Sequence, residues 1–164
     1  MKTTKTLRIL TGLMAMIALV LCFAACDSSS EGSYYFQTKD GVKIAIGDTD
    51  EVVTSKLGAP ISETSSESCG GFEGKDYVYT YKGFRVSTTP AKNGQIVCKV
   101  ELTDDSVKTP EGLYIGMSRA DVEKAMKAFT AESVGDNLVY TDGGVKLQVI
   151  LRSGSVSGIV YVAK

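Results

Sequence analysis

The 164-residue chain contains no histidine and no tryptophan, and it has only 3 prolines. Without histidine it lacks the side chain that most often serves as general base near neutral pH and as metal ligand. Hydrolysis through a histidine-activated serine is excluded, so only a serine–lysine arrangement would remain, and no spacing in the chain singles one out. Charge of one sign is also missing: 18 basic residues stand against 19 acidic ones, for a net charge of −1. Lys2, Lys5 and Arg8 hold three of the basic residues at the N-terminal end, and the 15 that follow face all 19 acids. That balance supplies no basic footprint for nucleic acid and no polybasic grip on anionic lipid.

Long apolar runs are scarce as well, with one exception. Leu7 to Phe23 is apolar except for Arg8, which ends the basic head, and Thr11 and Gly12, and it is followed by the small residues Ala24 and Ala25. These three parts make residues 1–25 a secretory signal peptide. At about 17 residues the run lies at the short limit for crossing a bilayer, so an uncleaved membrane anchor is the rival reading. The cysteine that follows favours the signal. Phe23-Ala24-Ala25-Cys26 resembles the lipobox of bacterial lipoproteins, in which small residues precede the cysteine. The resemblance implies that the Cys26 thiol takes a diacylglyceryl group, that cleavage makes Cys26 the new N-terminus, and that acyl chains such as palmitate complete the anchor. Each buried methylene contributes about 0.8 kcal/mol, so two or three chains hold where one would not. The rest of the chain is then expected at the membrane, on its extracytoplasmic side. Residues 26–33, rich in Ser, Gly and acid, form a flexible tether.

Of the 4 cysteines, Cys22 lies in the apolar run and Cys26 at its end, which leaves Cys69 and Cys98. Export permits a disulfide between these two. Cys69 lies in a Ser/Gly-rich loop, and Cys98 falls among Ile96, Val100 and Leu102 in a strand-like segment. The bonded pair and the two free thiols both stay open. Two cysteines with no histidine make a poor metal site.

After the tether, Tyr34-Tyr35-Phe36 opens the folded part, and Val42 to Ile46 reads as a strand after the Asp40-Gly41 turn. The segment from Ile46-Gly47 to Leu57 then lines up with that from Ile115-Gly116 to Met126. Thr49 and Ser118 are placed to cap helices with their hydroxyls. Val53 with Leu57, and Val122 with Met126, are four apart and share a helix face. Each helix is followed by alternating segments broken by turns. Tyr77–Tyr81, Phe84–Thr88 and Gln95–Leu102 follow the first; Leu138–Thr141, Val145–Leu151 and Ser155–Val162 follow the second. The expected architecture is α+β: two tandem repeats, each a helix followed by a three-stranded antiparallel meander, with the helices on one face of the sheet. Residues 34–103 form the first repeat, 104–110 a linker and 111–164 the second.

This doubled unit, with Ile46-Gly47, Leu57-Gly58-Ala59-Pro60 and Ile115-Gly116-Met117-Ser118 as its short motifs, resembles the β-lactamase-inhibitor-protein-like (BLIP-like) fold and the small SmpA/OmlA-type outer-membrane lipoproteins. Members of this group mostly bind other proteins, through the open sheet face and its loops. The resemblance therefore implies a binding module whose partner is another envelope or secreted protein.

The site candidates follow from these placements. Tyr77, Tyr79 and Tyr81 are spaced by two and share one sheet face. The row suits a binding surface, and it equally suits the edge of a core under a helix. Phe72, in the loop Gly70–Gly74, is a candidate anchor. Gly47 to Glu51 lacks the spacing of a calcium loop, and acids at a helix start have a simpler reason there. No metal and no cofactor is expected. Asp104 and Asp105 are adjacent and point apart in an extended chain, so they do not pair for acid–base work. The chain is expected to be no enzyme. The alternative is an envelope hydrolase acting on cell-wall material through carboxylates or a serine–lysine pair.

Overall fold

In a computed structural model of the chain, residues 34–164 are described. The signal peptide, the tether and Cys26 lie outside the described residues. The architecture corrects the expected one. The described chain is mostly β: one eight-stranded antiparallel sheet, a separate two-stranded hairpin, and two short helices. It does not form two helix-plus-three-strand units.

The small hairpin comes first, with β1 (Phe36–Gln37) paired to β2 (Lys43–Ile44). Helix α1 (Asp50–Leu57) follows, and then four strands: β3 (Ser62–Glu67), β4 (Lys75–Tyr81), β5 (Phe84–Ala91) and β6 (Gly94–Leu102). Helix α2 (Arg119–Ala125) precedes β7 (Ala131–Val134), β8 (Asn137–Asp142), β9 (Val145–Arg152) and β10 (Ser155–Ala163). The order across the sheet is β3-β4-β5-β6-β10-β9-β8-β7. The two four-strand runs meet at β6 and β10, where Glu101 faces Val160 and Val100 faces Tyr161.

The strands of the eight-stranded sheet missing from the expected architecture are β3 and β7, the two outermost. All of their residues are exposed. A strand pattern is visible in sequence when one face is buried and the other is not. Ser-Glu-Thr-Ser-Ser-Glu at an edge buries neither face, so no alternation marks it.

The register shows which face is covered. One row runs Glu63–Tyr79–Val86–Val100–Tyr161–Leu147–Tyr140–Ala131, one residue per strand. Its six central members are all buried. The hairpin and both helices cover this side. Phe36 packs on Phe84, ring centroids 4.6 Å apart, and edge-on to Tyr161 at 6.4 Å. Val53 of α1 and Val122 of α2 are fully buried in the same cluster, and Met126 after α2 joins them. The neighbouring row runs Ser62–Thr80–Arg85–Glu101–Val160–Gln148–Val139–Glu132 and belongs to the opposite face.

Both helices start as their sequences suggest. Thr49 Oγ1 accepts from the Val52 amide at 3.4 Å, and Ser118 Oγ accepts from the Asp121 amide at 3.2 Å. The residues before each helix are tied to a sheet strand in the same manner. Gly47 N donates to Val97 O and Val97 N to Asp48 O, each at 2.8 Å. Gly116 N donates to Val156 O and Val156 N to Met117 O, also at 2.8 Å. The segment 104–110 is not loose chain, because Val107 and Thr109 are buried.

Candidate functional site

The tyrosine row expected as a binding surface lies on the covered face. Tyr79 and Tyr81 are buried, and Tyr77 packs against the core with its ring stacked on Tyr79 at 6.1 Å. Tyr81 donates its hydroxyl to the Gly58 carbonyl at the end of α1, at 3.2 Å. Burial first, and then the neighbouring Asp50 carboxylate, push the Tyr79 hydroxyl well above the ordinary phenol range. Tyr79 and Tyr81 are therefore corrected from binding surface to core under α1. Spacing by two assigned the three to one face but could not say which face the helices would cover.

Cys69 and Cys98 are both free, Cys69 exposed and Cys98 half-buried. Cys98 does not continue the alternation of β6. The register passes from Ser87↔Lys99 to Thr88↔Val97, which leaves Cys98 as the extra residue of a β-bulge. Its Sγ donates to the Ser87 carbonyl at 3.4 Å. Ser157 has the same place in β10, between Val156↔Leu151 and Gly158↔Ile150, and its Oγ donates to the Ile150 carbonyl at 3.3 Å. Burial, chiefly, and then Asp76 hold the Cys98 thiol above its ordinary pKa. Cys98 is thus a bulge residue rather than a member of the apolar row with Val100 and Leu102.

Phe72 is exposed, as expected of its loop, and so are Ile61, Phe129 and Val134. Asp104 Oδ1 accepts from the Ser106 amide at 2.8 Å. Bonds from Ser106, side chain and then backbone, hold the Asp104 carboxyl below its usual range. Among the described residues, no three of His, Cys, Asp or Glu are grouped to hold a metal ion.

Among the described residues no element covers the opposite face of the sheet, which sequence reasoning did not single out. At its centre Arg85 and Lys99 approach Glu101 at 4.0 and 3.7 Å. Val160 is nearly buried there without joining the core cluster, because Glu101 and Gln148 stand on either side of it. Toward β7 the face dips into a groove of about 240 Å³, with Val134, Val139 and Ile150 beside Glu132, Lys146 and Gln148. A second cleft of about 350 Å³ lies between the β1–β2 turn, the end of α1 and the β4–β5 turn, where Lys39, Lys56 and Lys82 surround Val42, Leu57 and Phe84. A mixed surface of this kind can hold a partner by shape and paired polar groups. The signal that could have found it is the alternate set of β5, β6 and β9: Arg85, Ser87, Lys99, Glu101, Lys146 and Gln148 all fall opposite the apolar set.

Among the described residues no helix is long and apolar enough to cross a membrane. Comparison with protein-family models and with curated proteins gives no match. Among solved structures the chain is similar to an extracellular protein containing an SCP domain from Bacillus anthracis str. Ames, with 19% identity and a TM-score of 0.47. The likeness covers 73% of this chain and 44% of that one, so the chain spans less than half the length of the structure it matches. A likeness at this level carries no inference about activity or partners.

Proposed function

We propose that this chain is a lipid-anchored, extracytoplasmic binding module of a bacterial cell envelope, without catalytic activity, and that its partner is another envelope or secreted protein. The anchor rests on the sequence of residues 1–26, with Cys26 as the acylated residue. The observation that supports a binding role most is the asymmetry of the sheet. Both helices and the N-terminal hairpin pack on one face, while the Arg85–Glu101–Val160–Gln148–Val139 row of the other is covered by no described element. A tethered domain with one sheet face free is built to meet something larger than itself.

Crosslinking in native membranes tests this reading, with the natural chain and its Cys26→Ser form as paired baits. The expected result is a mass increase at Cys26 corresponding to acyl groups, and one reproducible crosslinked protein that is lost with Cys26→Ser. Failure to find acyl groups on Cys26 would remove the anchor. An acylated protein that captures nothing, yet cleaves cell-wall material, would replace binding with catalysis.

A further inference from the structure

Among the described residues β3 is the longer of the two outer strands of the sheet, and no described element pairs with its outer edge. All six of its residues are exposed, and their pairing to β4 runs without a shift from Ser62↔Thr80 to Glu67↔Lys75. Hydrogen bonds continue on both sides of the strand, from Ile61 N to Thr80 O at 2.8 Å and from Ser68 N to Gly74 O at 3.0 Å. In an antiparallel ladder every second residue turns its N–H and C=O away from its partner strand. Along β3 those groups meet no described strand. Exposed edges are ordinarily blunted by charged side chains, lysine above all, or by proline, a bulge or a covering element. β3 contains no lysine and no proline, its register is unbroken, and its charges are Glu63 and Glu67 alone, which repel an acidic strand and leave the edge open to a basic one. The opposite edge differs, since β7 has four residues and its turn is held by Arg119 Nη1 donating to the Asp136 carbonyl at 3.1 Å.

The side chains of β3 discriminate among occupants. Glu63 and Glu67 share the face of Tyr79 and Lys75, with Ser65 between them, and no described lysine or arginine forms an ion pair with either. A second copy of the chain pairing antiparallel about Ser65 would set Glu63 of each against Glu67 of the other, and like charges directly opposite are destabilising. A strand carrying cations four residues apart would place one against each glutamate. Ile61, 73% exposed, lies just before the strand, two residues from Glu63, and offers an apolar contact at that end of the edge.

We infer that β3 accepts an extended segment of a partner protein as a ninth strand, and that this segment runs antiparallel with basic residues opposite Glu67 and Glu63 and an apolar residue opposite Ile61. Main-chain bonds supply affinity in such strand addition, and alternate side chains supply selectivity. The inference rests on the reading of this chain as a binding module and names the contact that reading leaves open.

The probe is a fluorescent seven-residue peptide with lysine at its first and fifth positions, leucine at its seventh and threonine elsewhere. Its binding to the full chain in detergent is read by anisotropy. Two controls accompany it: the same peptide N-methylated at alternate residues, and a Glu63→Lys/Glu67→Lys variant whose melting temperature matches the natural protein. The expected result is saturable binding, abolished by N-methylation and weakened about tenfold or more in the variant. Equal binding of the methylated peptide would reduce the contact to charge alone and overturn strand addition. So would no binding, an unaffected variant, or a chain dimer that the double substitution dissolves. If membrane crosslinking returns a partner while the peptide fails, the binding module stands and the β3 edge does not.

Discussion

Tyr81 gives its hydroxyl proton to the carbonyl of Gly58, 3.2 Å away and 23 residues earlier in the chain, and so ties the end of α1 to the sheet. Tyr81→Phe keeps the ring that stacks on Phe84 at 5.2 Å and removes only this bond. A neutral hydrogen bond is worth about 1 kcal/mol net, so a denaturant titration of Tyr81→Phe is expected to show a loss of that order. Replacing Tyr77, Tyr79 and Tyr81 together by serine is expected to unfold the domain, because Tyr79 and Tyr81 are core residues. A folded triple variant with altered binding would return the row to the surface.

Alkali is expected to unfold the protein through its buried phenols. Burial, aided by Glu111 and Asp142, raises the Tyr34 hydroxyl to about 12. Burial is also the leading cause of the upward shifts at Tyr81, Tyr140 and Tyr161, and Tyr161 donates to Glu111 at 3.4 Å. A pKa raised in the folded state favours the neutral phenol. The stability this gives is fully present below the unfolded value near ~10 and is lost as pH rises toward the folded values. In an ultraviolet titration, phenolate absorbance from these residues is expected to rise together with loss of sheet circular dichroism. In strong denaturant the same groups should titrate near ~10 without a cooperative step.

The two thiols should differ sharply in reactivity. Cys69 is exposed, while Cys98 is half-buried with its Sγ on the Ser87 carbonyl and its pKa raised by burial. Because the thiolate is the reactive form, a disulfide reagent at neutral pH is expected to modify Cys69 rapidly and Cys98 only on unfolding. Cys98→Ser should be close to neutral in stability, since Ser157 makes the corresponding contact at the other bulge. Equal rates at both thiols would show that the β6 bulge opens readily.

Gly83 offers a further test of close packing. It turns β4 into β5 at φ +86°, and a Cβ there would lie 2.5 Å from Ser106 Oγ and 2.6 Å from Val107 Cγ2. Gly94 also has positive φ, +112°, but no atom within 4 Å of such a Cβ. Both alanine substitutions incur backbone strain of about 1–3 kcal/mol. Gly83→Ala should cost clearly more, because it must also displace the buried Val107. Equal losses in chemical denaturation would mean that the segment around Val107 moves aside freely.

How far the sequence reveals this molecule depends on burial. Strands β4, β5, β6, β8, β9 and β10 are legible because each alternates around a buried face and ends at a turn such as Lys82-Gly83 or Ser153-Gly154. The caps Thr49 and Ser118 are legible because the hydroxyl stands where the free amides need it. β3 and β7 are not, since an edge strand exposed on both faces carries no period. Nor does local pattern disclose that β6 pairs with β10, for that pairing joins residues from 57 (Ile159 and Leu102) to 63 (Val162 and Lys99) positions apart. The face of the tyrosine row depends on the same long-range closure. The bulge at Cys98 hides for a smaller reason: one inserted residue reverses the alternation, so Ile96, Cys98 and Val100 look like a single row when they are not.

The β6–β10 seam has a bearing on how the molecule comes into being. A chain delivered from its N-terminus, by a ribosome or through an export channel, presents β3 to β6 long before β10. Until then β6 is itself an unprotected edge, and an apolar one on its covered side, with Val100 and Leu102 waiting for Tyr161 and Ile159. Closing so distant a pair is slow relative to hairpin formation. The half-made sheet is therefore the state most exposed to mispairing and proteolysis, and β10, delivered after the seven other strands of the sheet, is the one that seals the middle.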